Sequence, residues 1–191
     1  MLAPFSIAMH QLPPPILTRR LALRALDTGD ADALLDLYRD ADVMRYWNQA
    51  PWSTIDQALA TVAEAQADDA SGAALQLAIV QRAGGAVIGH CALYAMAPDR
   101  RRASLGYLLV PAHWGQGYAR EALAALLAHG FAARGLLRID AEVDPGNAAS
   151  AAVLARLGFR RRPRVRRRWN VAGSLREVDL HVLRPAWFTP S

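Results

Sequence analysis

The 191-residue chain contains no lysine, so arginine supplies all 22 of its strongly basic side chains. The absence of lysine excludes a Schiff-base lysine and the lysine of a P-loop as functional groups. Cysteine occurs once, at Cys91, which rules out an internal disulfide, and we expect this side chain to be a buried core residue. No apolar run approaches the ~18 residues of a membrane-spanning helix, so we expect no membrane partner.

The net charge of +5 is concentrated in one segment, because seven arginines fall between Arg160 and Arg168. Such a run fits a polyanionic partner or an acidic substrate, and it fits a solvated hairpin equally well. No recognised nucleic-acid-reading element accompanies it, so we do not expect a nucleic-acid partner. Residues 1–15, with three consecutive prolines, lack the pattern of a secretory signal and are expected to form a flexible lead-in. These features predict a cytoplasmic protein.

Hydrophobic periodicity predicts one mixed α/β domain at 16–185, followed by a tail at 186–191. A strand–loop–helix–strand unit in the middle predicts one parallel crossover within a mostly antiparallel sheet. Strands are expected at 16–26, 75–81, 86–94, 103–110 and 137–143, and two more follow Phe159 and turn at 172–173. Helices are expected at 31–40, 55–69, 119–133 and 148–157, and residues 42–53 are expected to form an aromatic-rich loop.

The segment 106–123 predicts an anion site. A strand ends at Pro111, Gly115 and Gly117 allow a tight turn, and a helix begins directly afterwards. Backbone amides at the start of a helix have no intrahelical partner and lie at the positive end of the helix dipole, so they favour phosphate. A lone GxG before a helix is weak evidence by itself.

Two motifs resemble the GNAT acetyltransferase superfamily, in particular its RimJ/RimL-like branch. Residues 114–119, Trp-Gly-Gln-Gly-Tyr-Ala, are similar to the pyrophosphate-binding loop (Q/R)-x-x-G-x-(G/A), which this branch often writes Trp-Gly-x-Gly-Tyr-Ala. Residues 144–159 are similar to the downstream N-x-x-S-x-x-(V/L)-x-x-x-G-F segment, with Asn147 and Ser150 in matching places. The resemblance extends over about residues 17–183, and it implies a GNAT-type sheet with splayed central strands and helices on both faces.

The resemblance also implies the residues that bind acetyl-CoA. Ser150 is implied as the general acid that protonates the leaving thiolate, without a metal ion. Asn147, at the start of the following helix, also fits the role of a helix cap or turn residue. The implied cofactor-binding residues are Leu108, Leu109, Val110, Gly115, Gln116, Gly117, Tyr118, Ala119, Arg120 and Asn147.

The sequence departs from the family at the general base. Relatives often place a glutamate just before the Gly-Tyr of the central strand, where this chain has Ser104 and Leu105, and a second glutamate is replaced near Trp169. The identity of the general base is therefore open: it is either a chain of water molecules or one of several side chains. These candidates are Asp144, Glu142, Asp179, His90 and His113. The acceptor pocket is expected to hold Tyr46, Trp47, Trp52 and Tyr94, although the tryptophans equally fit a packing role.

By this resemblance the chain is expected to be an N-acetyltransferase that moves an acetyl group from acetyl-CoA to a primary amine. The amine is either the N-terminus of a protein or a small molecule. Because the glutamates are missing, the alternative is a catalytically silent acyl-CoA-binding or sensing domain. The oligomeric state stays open, a homodimer included.

Overall fold

A computed structural model describes residues 14–97, 99, 101–171 and 174–190, and for 163–168 it describes the backbone alone. Eight strands and five α-helices are described in this part of the chain. The strands are β1 (Ile16–Leu17), β2 (Leu21–Ala25), β3 (Leu75–Gln81), β4 (Val87–Tyr94), β5 (Arg102–Leu109), β6 (Arg138–Val143), β7 (Arg160–Val171) and β8 (Ser174–Leu183). The helices are α1 (Ala31–Arg39), α2 (Ala41–Met44), α3 (Ile55–Ser71), α4 (Tyr118–Ala132) and α5 (Ala148–Arg156).

The strands form one sheet in the order β1-β2-β3-β4-β5-β6-β8-β7, and this confirms the predicted mixed α/β class. Within the described residues, the β5–β6 pair is parallel and the other neighbouring pairs are antiparallel. The parallel pairing joins three residues on each strand, from Arg102↔Arg138 to Ser104↔Asp140. Beyond this point β5 stays paired with β4 and β6 with β8, but β5 and β6 no longer pair with each other, so they diverge and open a gap in the middle of the sheet.

Helices cover both faces of the sheet and create two cores. On one face, leucines of α4 such as Leu123 and Leu126 pack against Cys91 and Leu93 of β4. On the other face, α1 and α3 cover a second cluster that includes Leu34 and Trp52. Cys91 and Leu93 of β4 thus face the α4 core, whereas His90 reaches Tyr38 of α1 on the opposite face, as the two-residue period of a strand requires. Cys91 is fully buried, as its flanking sequence predicts.

Two local predictions were wrong. The first predicted strand is divided into β1 and β2, because the chain leaves the sheet at Thr18, whose amide donates back to the carbonyl of Leu21 (2.9 Å). The predicted aromatic loop at 42–53 overlaps a short helix, α2, which the Asp40 carboxylate caps by accepting from the amides of Asp42 and Val43. A side-chain cap of this kind offsets the cost of a four-residue helix.

The arginine-rich segment lies on β7, with an irregular register between Arg162 and Arg166. Arg161 forms an ion pair with Asp179 on β8, at 2.7 Å between nitrogen and oxygen. The side chains of 163–168, most of the predicted lead-in and the predicted turn at 172–173 lie outside the described residues. In the described ranges we find no helix with the length and apolar character needed to cross a membrane. The same ranges hold no cluster of three or more His, Cys, Asp or Glu side chains that could bind a metal ion.

Gly158 follows the C-cap of α5 and makes a close backbone contact with the C-terminal segment. A substitution at Gly158 therefore tests the packing of that segment. Its φ is +92°, and a Cβ atom there would stand 1.8 Å from the carbonyl oxygen of Trp187. We expect Gly158→Ala to lower the free energy of unfolding by more than the roughly 1–3 kcal/mol of backbone strain alone, because the clash adds to the strain. Gly135→Ala is the control, since Gly135 also has a positive φ but open space around it. Equal losses in urea denaturation would contradict the close contact.

Candidate active site

The gap between β5 and β6 opens into a cavity of about 460 Å³. Its walls come from the diverging halves of the two strands, from the start of α4 and from one side of α5. The parallel crossover creates this arrangement, because α4 leaves the end of β5 and returns the chain to β6. The cavity therefore lies at the carboxyl ends of two parallel strands, where open α/β sheets bind ligands.

The loop before α4 exposes unpaired backbone amides to this cavity. Gly115 and Gly117 have φ of +71° and +80°, and Gly117 caps the helix without a side-chain hydrogen bond. The first intrahelical bond of α4 is donated by the amide of Glu121 to the carbonyl of Gly117 (3.0 Å). The amides that precede Glu121 on the helix are thus available to an anion.

An ion pair fixes this helix start to the edge of the sheet. Glu121 accepts hydrogen bonds from the Thr18 hydroxyl (2.7 Å), the Arg20 amide (2.8 Å) and Arg20 Nε (2.6 Å). Arg20 also donates to the carbonyl of Gln116 (3.1 Å) and stacks over the ring of Tyr118 at 4.1 Å. Burial raises the pKa of Glu121, but the hydrogen bonds from Thr18 and Arg20 outweigh it and hold the pKa below its ordinary value. The break between β1 and β2 therefore has a role, because it brings Thr18 and Arg20 to the loop.

The side chain of Arg120 is a further sign that this cavity accepts an anion. Arg120 lines the cavity, and its Nε atom is buried without a hydrogen-bond partner. A buried donor without a partner costs roughly 1–3 kcal/mol, more when the group is charged. A phosphate at the start of α4 would satisfy this donor. The residues present thus fit the pyrophosphate of coenzyme A.

The free edge of β5 supplies a second set of backbone groups. The amide of Val110 donates to the carbonyl of Ile88 on β4 (2.9 Å). Because antiparallel pairs alternate in direction, the backbone groups of Leu109 point the opposite way, towards the gap. The Leu109 carbonyl accepts from the indole N–H of Trp114 (2.7 Å), which ties the end of β5 to the following loop.

A hydrogen-bonded pair of hydroxyl groups crosses the cavity at α5. Asn147 caps α5 through its side-chain oxygen, which accepts from the amide of Ser150 (3.0 Å). The Tyr107 hydroxyl, reaching from β5, donates to Ser150 Oγ at 2.9 Å. Burial raises the pKa of Tyr107 to about 12, so the phenol keeps its proton at neutral pH. Ser150 therefore accepts a hydrogen bond from Tyr107, and its own hydroxyl hydrogen is left to donate into the cavity.

A second cavity, of about 740 Å³, lies on the α1–α3 face of the sheet. Trp47, Gly106 and Tyr107 belong to the walls of both cavities, so the two meet at the middle of β5. Of the expected acceptor residues, Tyr46 lines the first cavity and Tyr94 the second. Trp52 borders the second cavity, but it is mainly a packing residue, buried and stacked on Tyr38 at 4.0 Å between ring centroids.

The structure separates the candidate bases. Glu142, Asp144 and His113 line the first cavity. His90 lines the second, where its Nδ1 is hydrogen-bonded to the Tyr38 hydroxyl (2.7 Å) and its Nε2 has no partner. Asp179 lines neither cavity. Burial lowers the pKa of His90 to about 4, so this imidazole is neutral at physiological pH.

Most of the expected cofactor residues border the first cavity. Gln116 and Val110 do not line it, and the side chain of Gln116 instead donates to the carbonyl of Ala112 (2.8 Å). Sequence reasoning missed the Tyr107 hydroxyl and the indole of Trp169, and it assigned Arg120 to the cofactor through its backbone amide and not through its guanidinium. Trp169 lines the cavity from β7 and donates to Glu142 at 2.6 Å. Strand alternation places Tyr107 on the α5 face, and this was the one available signal.

Comparison with known proteins agrees with this geometry. Residues 20–160, about three quarters of the chain, match the acetyltransferase (GNAT) domain. The chain belongs to the GNAT acetyltransferase family and is an acetyl-CoA-dependent N-acetyltransferase. The expected RimJ/RimL-like character and the expected co-substrate are confirmed, and the comparisons give no support to a catalytically silent domain.

Individual similarities extend over most of the chain. The uncharacterized N-acetyltransferase p20 of Bacillus licheniformis is 32% identical over 166 residues, which cover 87% of this chain and 93% of that protein. RimJ of Mycobacterium smegmatis, solved with a CoA disulfide, is 25% identical with a TM-score of 0.78, covering 92% of this chain and 87% of its own. Spermidine N-acetyltransferase of Vibrio cholerae, solved with CoA and spermine, is similar in fold, with 20% identity, a TM-score of 0.77 and coverage of 89% and 98%.

The Glu121 ion pair predicts a pH-dependent contribution to stability. We expect Glu121→Gln to lower the free energy of unfolding by about 1–3 kcal/mol at neutral pH, because the amide loses its charge-assisted hydrogen bonds. Since the folded-state pKa lies below the ordinary 4.5, the contribution is complete above that value and is lost as pH falls through the folded-state pKa. The difference between parent and variant in denaturant titrations should therefore close on acidification. A difference that is constant from pH 7 to pH 2 would contradict this assignment.

Proposed function

We propose that the chain acetylates a primary amine by direct transfer, with acetyl-CoA lying in the gap between β5 and β6. The observation that carries the proposal is the convergence of two groups on one cavity. One is the set of unpaired amides at the start of α4, beside the unpartnered Arg120, and the other is the Tyr107–Ser150 pair. The amides and Arg120 suit a pyrophosphate at α4, and the Tyr107–Ser150 pair suits a thiol leaving group at the neighbouring helix α5.

Coenzyme A would contact different parts of the cavity along its length. The amides of residues 115–120 and the guanidinium of Arg120 would hold the pyrophosphate at the positive end of α4. The outward-pointing amide of Leu109, whose carbonyl already accepts from Trp114, would donate to the pantetheine. Asn147 borders the same cavity, and its side-chain oxygen is occupied by the cap of α5, so its amide nitrogen is the group we assign to the pantetheine.

Ser150 would protonate the thiolate as the carbon–sulfur bond breaks. A serine hydroxyl is a weak acid, but Ser150 accepts a hydrogen bond from Tyr107 and can pass a proton on as it receives another. The acetyl thioester supplies the acyl group. We assign the acceptor to the second cavity, which meets the first beside Trp47, and either a protein N-terminus or a small-molecule amine would fit there.

Use of acetyl-CoA and the unpaired Cys91 support a cytoplasmic location. A homodimer stays a proposal.

The glycine loop gives a direct test of the cofactor site. We expect Gly117→Val to weaken CoA binding by about tenfold or more, because a β-branched side chain disfavours the positive φ and fills the space at the start of α4. Gly84→Val is the matched control, since Gly84 also has a positive φ with open space around it, in the β3–β4 turn. The measurement is calorimetric titration with CoA. Unchanged affinity in a folded Gly117→Val protein would contradict the proposed site.

Ser150→Ala tests the proposed chemistry. We expect kcat for acetyl transfer to fall by about 10²-fold while the affinity for acetyl-CoA stays unchanged, because the hydroxyl is assigned to the leaving group and not to ground-state binding. Thiol release would be followed with a panel containing spermidine, 2-phenylethylamine, glycinamide and peptides with free N-termini. Tyr107→Phe should show a smaller fall of the same kind, and the exposed Ser53→Ala should behave as the parent. A raised KM for acetyl-CoA with normal kcat would make Ser150 a binding residue.

A further inference from the structure

A carboxylate lies among aromatic side chains at the point where β5 and β6 diverge. It belongs to Glu142 on β6, and the aromatic neighbours come from three other parts of the chain. Trp169 of β7 donates its indole N–H to Glu142 Oε2 at 2.6 Å. Trp47 follows α2, and Tyr94 ends β4. We call these four residues the aromatic carboxylate site.

The strand pattern places Glu142 on the face of the second cavity. Asp140 and Glu142 share one face of β6, because side chains two residues apart point the same way. Asp140 is buried and is engaged by Arg102 and Arg138, at 2.6 Å in each ion pair. Glu142, two residues further along β6, lies beyond the last position that pairs with β5 and borders the cavity between these strands. The first carboxylate is structural, and the second is presented to the reaction cavity.

The aromatic rings meet beside the same point of β5. Continuing the parallel register beyond Ser104↔Asp140 brings Gly106 level with Glu142. A Cβ atom at Gly106 would be 3.2 Å from both Trp47 Cη2 and Tyr94 Cε1, so both rings lie over this residue. Tyr94 also interacts electrostatically with the carboxylate. The pKa of its phenol is raised mainly by burial and, in second place, by the negative charge of Glu142.

This combination of groups suits a cation that must lose a proton. Aromatic faces attract an ammonium group through their quadrupoles, and a carboxylate adds charge attraction and a proton acceptor. We propose that the aromatic carboxylate site binds the acceptor amine as its ammonium ion, and that Glu142 takes the proton that must leave before attack. This inference rests on the proposed acetyl transfer. It supplies from β6 the carboxylate that the sequence lacks at Ser104 and near Trp169.

The other candidate bases are less well placed for this step. Asp144 also lines the cavity, but its Oδ1 accepts from the amide of Gly146 (2.8 Å) in a turn. His113 packs edge-on against Tyr118, beside the helix start assigned to the pyrophosphate. His90 lies in the second cavity, with its ring bonded to Tyr38. The charged or titratable side chains that share the cavity walls with Glu142 and Tyr107 are Asp42, Arg45, Tyr46, His113, Tyr118, Arg120, Asp144 and Arg156.

The protons and bonds balance with the groups already named. The ammonium gives one proton to Glu142, and the neutral nitrogen then forms a bond to the thioester carbonyl carbon. As the carbon–sulfur bond breaks, the thiolate receives a proton from Ser150, and the nitrogen loses its second proton, which restores the Tyr107–Ser150 pair through solvent. Glu142 releases its proton to water. The net products are the amide, CoA thiol and one proton.

The test is the pH profile of Glu142→Gln with the amine panel described above. The amide can still accept from Trp169, but it has no charge and takes no proton. We expect kcat/KM for the amine to fall by about 10²-fold or more at pH 7. The loss should shrink as pH approaches the pKa of the acceptor itself, about 8 for a peptide N-terminus and about 10 for an alkylamine, because the amine then arrives without its extra proton. The affinity for acetyl-CoA should not change.

Two further variants separate the proposal from a structural effect. Trp169→Phe keeps a ring but removes the donor that orients the carboxylate, and we expect a fall of about tenfold with the parent pH profile. Asp36→Asn removes one exposed carboxylate of α1 and should match the parent at every pH. An active parent whose Glu142→Gln variant keeps its rate, or loses it equally at every pH, would overturn the role of Glu142 alone. A parent that acetylates no amine in the panel would overturn the proposed function and this inference together.

Discussion

The arrangement of the site depends on how far β5 and β6 stay paired. Their parallel pairing ends at Ser104↔Asp140, although both strands continue for several residues. A fully paired sheet would use the backbone groups of Leu109 for its own ladder and would leave no space between the strands. The divergence instead leaves a free strand edge, a cavity between two layers of helices and a passage from one face of the sheet to the other. The cofactor and the acceptor can thus approach one point from opposite sides.

The helix that follows β5 is held against this gap by contacts far away in sequence. Glu121 reaches Arg20 across 101 residues, and Arg20 in turn holds the carbonyl of Gln116. These bonds fix the direction of the first turn of α4, so its free amides and Arg120 face the cavity. Binding a polyanion there adds charge attraction to a preformed site, which reduces the cost of ordering the loop on binding. Stability at the edge of the sheet and cofactor recognition therefore share the same residues.

Local signals were sufficient for the strand and helix order and for the glycine loop, because periodicity, caps and left-handed glycines act within a few residues. Local signals failed where the conformation of one segment depends on contacts with a distant one. The predicted first strand, for example, divides where Thr18 and Arg20 turn towards Glu121. The Tyr107–Ser150 and Trp169–Glu142 bonds span 43 and 27 residues and follow from strand order and register. Alternation along β6 puts Asp140 and Glu142 on one face, but only the end of the parallel ladder shows which carboxylate is structural and which borders the cavity.

Backbone amide hydrogen exchange with and without CoA, resolved by residue, tests the central claim most directly. If CoA lies between the diverging strands, the amides of Leu109 and of residues 115–120 gain protection when it binds. The amide of Val110 already pairs with Ile88 and should change little. Protection confined to β7 and β8, or none in residues 115–120 at saturating CoA, would contradict the account.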